Sequence, residues 1–172
     1  MIINKDAPTT YEEARRMGVY RDWYASLLTV IEDKERDIVT NLSKQGLPDE
    51  NISAITSSSE EDYKLKKTDY WTKICNAIDD KNSYLPDCFR SIIKERMREI
   101  ISNMLIKRNE LDLTTDNICK ATGYSKGFVE EIEYLHKISI KLLKKGISIA
   151  DISEITELPI EQIEQLNQNT NI

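Results

Sequence analysis

The chain of 172 residues is long enough to bury a hydrophobic core, as one domain or as two small ones. Hydrophobic residues make up 40% of it and charged residues 31%, a balance typical of a globular protein with a heavily charged surface. The formal net charge of -6 disfavours a polyanion as the main partner. No apolar run is long enough to cross a bilayer, and the first residues lack a signal-peptide pattern, so the default expectation is a cytoplasmic protein.

The residues that most often carry catalysis or bind metals are few. The cysteines Cys75, Cys88 and Cys119 are widely spaced without a Cys-x-x-Cys pair, and His136 is the only histidine. A structural zinc site needs about four nitrogen or sulfur ligands, so neither a metal nor a cofactor is expected. His136 has no fixed Ser, Cys or carboxylate partner in the sequence, which predicts a surface or boundary position and no catalytic role.

The first predicted helix starts at Thr10, whose Thr-x-x-Glu spacing to Glu13 is typical of a capping box. It ends at Gly46 and Pro48, because Gly can close a helix and Pro cannot continue one. Its apolar face, at three- and four-residue steps, consists of Tyr20, Tyr24, Leu27, Leu28, Ile31, Ile38 and Leu42. Further breaks are expected at residues 57–59, 82–85 and 109–113, at Gly123 and at Gly146.

A second long helix is predicted from the segment SYLPDCFR, which ends at Arg90. Its apolar stripe is typical of a core-facing helix and consists of Phe89, Ile92, Ile93, Met97, Ile100, Ile101, Met104 and Leu105. No segment alternates apolar and polar residues as a half-buried strand would. The sequence therefore predicts an all-α fold.

An internal repeat lies in the short segments between these helices. Leu42 to Thr56 aligns without a gap with Leu142 to Thr156, and a middle copy, Leu105 to Ile132, is longer before Ile118. Each copy reads as a long helix, a break, a short helix, a turn and another helix. Because a two-turn helix is unstable alone, its apolar residues must pack on the neighbouring helices. The predicted core of the repeats is Ile52, Ile55, Ile118, Val129, Ile132, Ile152, Ile155, Ile163 and Leu166.

The expected architecture is three related helix-turn-helix-like units packed as a small bundle or array. We expect an N-terminal helical unit over residues 1–82 and a C-terminal helical unit over residues 83–172, or one continuous domain that contains both. Thr122 and Thr156, at the ends of two short helices, are expected to serve packing or local side-chain bonds near the turns.

Helix-turn-helix spacing raises the question of DNA binding. The last repeat's second helix carries Glu161 and Glu164 and no cation, although Gln162, Gln165 and Asn167 are side-chain types that read adenine. The middle repeat's second helix is also acidic. Because carboxylates are repelled by phosphates, DNA reading is disfavoured. If nucleic acid binds, the better contacts are the basic residues Arg90, Lys94, Arg98, Lys141, Lys144 and Lys145.

The last repeat follows a recognisable pattern of a lysine-rich helix end, a Gly, spaced isoleucines, a Thr and a Leu-Pro turn. The residues are Lys144, Lys145, Gly146, Ile147, Ile149, Ile152, Thr156, Leu158, Pro159, Ile163 and Leu166. They resemble the C-terminal helical region of the Rpn family, recombination-promoting nucleases also called PD-(D/E)XK transposases. The resemblance covers about the last third to half of the chain. Glu157 departs from the family pattern, because Gly usually follows the Thr in that family.

The nuclease core of that family is not visible in the sequence. Such a core places an Asp and a Glu-x-Lys on adjacent strands to hold a divalent metal. Glu32, Asp33 and Lys34 form a Glu-x-Lys, and Asp49 and Asp87 follow prolines, but all fall in predicted helices or caps and in the reverse of the family order. The resemblance therefore implies a relative of the tail without the enzyme.

The favoured function is a non-catalytic helical protein-protein interaction module of a bacterial cell, regulatory or oligomerising, that binds itself or a larger nuclease. One alternative is a DNA-binding helix-turn-helix regulator. A second is a host-directed effector of an intracellular bacterium, which would act after secretion and is suggested by the abundance of Ile, Lys and Asn. No membrane and no small-molecule substrate is expected.

Overall fold

A computed structural model of the chain describes residues 11–56, 68–76 and 85–169, apart from the side chains of residues 11–17, 19, 85 and 86. These ranges contain α-helices joined by turns and no strand, which confirms the predicted all-α class. No helix within them is long and apolar enough to span a membrane. In chain order the helices are α1 (Tyr11–Lys44), α2 (Asp49–Thr56), α3 (residues 68–76), α4 (Leu85–Ile106), α5 (Thr115–Thr122), α6 (Lys126–Lys144), α7 (Ile149–Thr156) and α8 (Ile160–Asn169).

Glycines end three of these helices, as predicted. Gly46 after α1, Gly123 after α5 and Gly146 after α6 have φ values of 86°, 73° and 76°. Without a Cβ, each adopts this left-handed conformation at no steric cost and so ends its helix. The predicted cap at Thr10 and the predicted breaks at residues 57–59 and 82–84 lie outside the described residues.

The chain divides into two compact units, and each is discontinuous in sequence. Unit 1 combines Met1–Asp33 with Ser58–Glu95, and unit 2 combines Lys34–Ser57 with Arg96–Ile172. This division differs from the expected boundary between residues 82 and 83. The end of α1 and all of α2 pack with the C-terminal helices, because contacts distant in sequence hold them there.

The core of unit 1 is formed by one face of α1 against α3 and the start of α4. Its buried residues are Leu27, Ile31, Tyr70, Ile74 and Ile92. Aromatic rings line the same helices, with the Tyr24 and Trp71 centroids 5.3 Å apart, edge to face. Tyr24 of α1 and Trp71 of α3 therefore pack against each other between these two helices.

The core of unit 2 contains a buried cation beside the apolar stripe of α4. Arg96 is only 3% exposed. Its Nε lies 2.6 Å from a carboxylate oxygen of Glu35, and its Nη1 lies 2.9 Å from one of Glu99. Its Nη2 donates a 3.0 Å hydrogen bond to the carbonyl oxygen of Thr56, at the end of α2. One side chain thus joins α1, α2 and α4 within this unit.

Candidate interaction surface

The three repeats share one backbone geometry at the break before the short helix. Each has a residue with positive φ six positions before a buried isoleucine, and the residue after it donates its N–H to the carbonyl five positions back. The pairs of left-handed residue and isoleucine are Gly46 and Ile52, Asp112 and Ile118, and Gly146 and Ile152. The extra length of the middle repeat lies ahead of Asp112, in the turn of residues 107–112. The repeat is therefore present in the structure as well as in the sequence.

A threonine closes each short helix in the same way. The hydroxyls of Thr56, Thr122 and Thr156 donate to the carbonyl four residues earlier, at 2.9, 2.8 and 2.7 Å. In the middle and last repeats this hydroxyl also accepts the backbone N–H of Tyr124 or Leu158. The threonines make local turn bonds, as expected from the sequence.

The C-terminal end of α1 covers the short helix α5 of the middle repeat. Asn41 donates a 3.1 Å hydrogen bond from Nδ2 to the carbonyl oxygen of Ala121. Gln45, one turn later, donates from Nε2 to the carbonyl oxygen of Asn117 at 3.2 Å. Ala121 is 1% exposed beneath this contact.

The C-terminal end of α4 covers the short helix α2 of the first repeat. Asn103 donates a 3.2 Å hydrogen bond from Nδ2 to the carbonyl oxygen of Ile55. Lys107, one turn later, donates from Nζ to the carbonyl oxygen of Ala54 at 3.3 Å. Ile55 is fully buried.

These two contacts are reciprocal. Ile55 and Ala121 occupy the same position of the repeat, three residues after Ile52 and Ile118, and each accepts a hydrogen bond from an Asn on the other repeat's long helix. The long helix of the first repeat covers the short helix of the middle repeat, and the long helix of the middle repeat covers the short helix of the first. An exchange of like contacts is the mark of two-fold packing, here approximate and within one chain.

The last repeat lacks such a cover. Its equivalent residue, Ile155, is 63% exposed, so the predicted burial of Ile155 is wrong. Within the described ranges α7 packs against α6 and α8, which leaves its outer side open. We call this side, centred on Ile155, the open face of α7. The remaining predicted core residues are buried, namely Ile52, Ile55, Ile118, Val129, Ile132, Ile152, Ile163 and Leu166.

A second position of the repeat shows the same trend. Leu113, the residue after the left-handed Asp112, is buried, and its equivalent Leu47 is half-buried. The equivalent residue of the last repeat, Ile147, is exposed. Ile160, just after α7, is exposed as well. Ile147 and Ile155 of the last repeat are thus more exposed than their equivalents in the other two repeats.

The candidate nucleic-acid residues do not form a single patch. Arg90 and Lys94 belong to unit 1, where Arg90 pairs with Asp87 at 2.7 Å. In unit 2, Arg98 is half-buried and donates to Glu131 at 2.7 Å.

Three of these candidates, the lysines at the end of α6, form an exposed cluster. Lys141, Lys144 and Lys145 are exposed and make no ion pair with any residue that the structure describes. The helix C-terminus, with its partial negative charge, favours cations at these positions. They are available to an external partner.

The candidate recognition helix α8 presents carboxylates to solvent. Glu161 and Glu164 are exposed, whereas Gln162 is buried and donates a 3.4 Å hydrogen bond to the carbonyl oxygen of Glu99. Gln162 therefore cannot reach a base edge, contrary to the expectation from the sequence. An adenine-reading role within this helix is left to Gln165, which is exposed, and to Asn167.

His136 is buried, not at the surface or a boundary as predicted. Its Nε2 lies 2.6 Å from Oγ of Ser102, which is fully buried on α4. Burial lowers the pKa of His136 to about 4 and outweighs the opposite effect of the Glu133 carboxylate. A serine without solvent access cannot attack an external substrate, so the pair joins α4 to α6.

Lowering the pH from 7 to 5 is expected to reduce the free energy of unfolding by about 2 kcal/mol through His136. Its folded-state pKa of about 4 lies below the ordinary 6.5, so the unfolded chain binds a proton first as the pH falls. The stability is complete above about pH 6.5 and is lost down to about pH 4. Urea unfolding of the wild type and of His136→Gln at both pH values measures this. An equal pH dependence in both proteins would contradict it.

The acidic residues considered for a nuclease core all lie on helices. Glu32, Asp33 and Lys34 are exposed on α1, and Asp49 and Asp87 stand in the first turns of α2 and α4. No group of three or more His, Cys, Asp or Glu side chains in the described ranges is arranged to hold a metal ion. The three cysteines form no disulfide and are half-buried.

No family model, curated protein or solved structure matches the chain. The likeness to the Rpn tail therefore rests on the sequence pattern alone. Function is inferred from the surface that the repeats leave open.

Proposed function

We propose that the chain is a non-catalytic helical protein-protein interaction module with a regulatory or oligomerising role. This agrees with its resemblance to the tail of Rpn-type nucleases. The observation that carries the proposal is Ile155, which is exposed at a position where the other repeats bury Ile55 and Ala121 under a helix of the same chain. A partner that covers the open face of α7 would complete the last repeat.

The energy available at this face is useful but modest. A scattered exposed isoleucine is normal on a protein surface, and only the comparison with the other repeats makes Ile155 informative. Full burial of such a side chain contributes about 1.5–3 kcal/mol. Exposed Ile147 and Ile160, before and after α7, offer further apolar area. A docking helix with amide or ammonium donors would match the contacts seen on α2 and α5.

A second candidate function, DNA binding, is favoured by the exposed lysines Lys141, Lys144 and Lys145. Phosphate contacts by such side chains release counterions and support binding of any sequence. The exposed carboxylates of Glu161 and Glu164 on α8 oppose it, because they would lie where a recognition helix meets DNA. No feature in the described ranges favours the host-directed alternative.

Duplex binding is expected to be negligible at physiological salt, both for the wild type and for the double variant Glu161→Gln, Glu164→Gln. The measurement is a salt titration of each protein on a mixed-sequence duplex. In a DNA reader, removal of two repulsive charges near phosphates would strengthen binding.

The matched control is a triple variant of Lys141, Lys144 and Lys145 to Gln, which should reduce any residual low-salt binding. Nanomolar affinity of the wild type with a steep salt slope would overturn the proposed function.

A further inference from the structure

We propose that the last repeats of two chains pair with each other, so that the α6 end of each chain covers the open face of α7 in the other. This inference rests on the proposed function and names the partner, a second copy of the chain. The first and middle repeats already pair in this manner inside one chain. The proposed dimer would reproduce between two chains the packing that the first and middle repeats have within one chain.

The internal pairing defines the contact that each last repeat would make. A long-helix end places two side-chain donors, four residues apart, over the outer carbonyls of a short helix. They are Asn41 and Gln45 in one direction and Asn103 and Lys107 in the other. Lys107 is informative, because it shows that an ammonium group can take the second donor position.

The α6 end carries matching donors. In the gap-free alignment of the first and last repeats, Lys141 stands at the position of Asn41 and Lys145 at that of Gln45. Both lysines are exposed and make no ion pair with the described residues. The last repeat therefore presents an unused donor pair on its long helix.

The same repeat also carries residues at the equivalent acceptor positions. Asp151 and Ile155 stand at the positions of Asn117 and Ala121, whose carbonyl oxygens accept the bonds from α1. Exposed carboxylates of Asp151 and Glu154 add negative charge to α7. Lysines on one surface and carboxylates on the other complement each other across a two-fold axis, where each contact occurs twice.

Charge also distinguishes this contact from the internal pair. The first repeat has two amides, Asn41 and Gln45, where the last repeat has Lys141 and Lys145, and the donors of the middle repeat are one amide, Asn103, and one ammonium group, Lys107. The middle repeat has Lys120 at the position where the last repeat has Glu154. The last repeat is thus complementary to a second last repeat. Since one helix end and one short helix per chain make the contact, the buried area lies below about 1,200 Å², typical of a reversible dimer.

Sedimentation velocity of the full chain over a range of concentrations tests the pairing. The expected result is a reversible shift from 19.9 kDa towards twice that mass. Ile155→Lys should raise the dimer dissociation constant at least about tenfold, because its ammonium group would meet Lys141 of the second chain at the contact. Val39→Lys, at another exposed apolar side chain of unit 2, is the control and should leave the dissociation constant unchanged.

A charge exchange makes the test independent of Ile155. The variant Lys141→Glu, Lys145→Glu and the variant Glu154→Lys should each be monomeric, since like charges then meet in both contacts. Mixed together, the two variants should form a heterodimer. In one contact the new glutamates of the first variant meet the new lysine of the second, and in the other contact the lysines and Glu154 are those of the wild type.

Three results would overturn the pairing. They are a wild-type monomer at every concentration, a dimer unaffected by Ile155→Lys, and a failure of the two charge variants to associate. The proposed function is tested separately, by the duplex titration. If the protein is monomeric and does not bind duplex DNA, only the pairing is rejected. If it binds duplex DNA tightly and in a salt-dependent way, the proposed function is rejected whatever the mass of the protein in solution.

Discussion

Replacing Arg96 with alanine is expected to lower the free energy of unfolding by about 3–5 kcal/mol. The guanidinium is almost wholly buried between the carboxylates of Glu35 and Glu99, and it also donates to the carbonyl oxygen of Thr56. Burial disfavours the charged form, but Glu99 and Glu35 outweigh it and raise the pKa of Arg96 above its ordinary value. Truncation would leave two mostly buried carboxylates and a helix-end carbonyl without their donor.

The control for Arg96 is Arg90, the same residue type on the same helix. Its ion pair with Asp87 is equally short, 2.7 Å, but both side chains are mostly exposed. Solvent screens such a pair, so Arg90→Ala should change the unfolding free energy by less than about 1 kcal/mol. Urea unfolding of both variants at pH 7 makes the comparison. Equal losses for the two would show that Arg96 holds the helices together no better than a surface pair.

Local features of the sequence were sufficient to predict α1, α4 and the helices of the repeats. The spacing of Leu27, Ile31 and Ile38 predicts one buried face of α1, and these residues are buried. Gly46 and Gly146 end their helices because a left-handed residue is needed there and Gly adopts it freely. Such features depend only on residues that are near in sequence, so they can be identified before any tertiary contact is known.

The open face of α7 was not predictable in the same way. Ile55 and Ile155 stand in nearly identical local sequences, yet one is buried and the other exposed. The difference comes from Asn103, on a helix distant in the chain, which covers one and not the other. The alignment of the repeats did indicate that the last repeat differs from the first at the contact positions of its long helix, because Asn41 and Gln45 of the first repeat are replaced by lysines in the last.

The buried histidine also had an overlooked signal. His136 follows Val129 and Ile132 at helical steps of three and four residues, which places it on the apolar face of α6. A polar residue on such a face needs a buried partner, and Ser102 supplies one from α4. The partner could not be identified from sequence, because the two residues meet only through packing of their helices.

The last prediction compares two isoleucines three residues apart on the same short helix. Ile152→Ala is expected to lower the free energy of unfolding by about 2–4 kcal/mol, through lost burial and a cavity. Ile152 is fully buried in a cluster with Leu158 and Ile163. Chemical denaturation at a concentration where the chain is monomeric measures the loss without any contribution from association.

Ile155→Ala is the matched control, since it removes the same atoms from the same helix. Its side chain is mostly exposed in the single chain, so the expected change is within about 0.5 kcal/mol. The two variants therefore separate burial from helix propensity, which the shared substitution affects equally. A small loss for Ile152 would mean that α7 is not held by its apolar contacts. A large loss for Ile155 in the monomer would mean that the open face is already covered, which would remove the basis for pairing between chains.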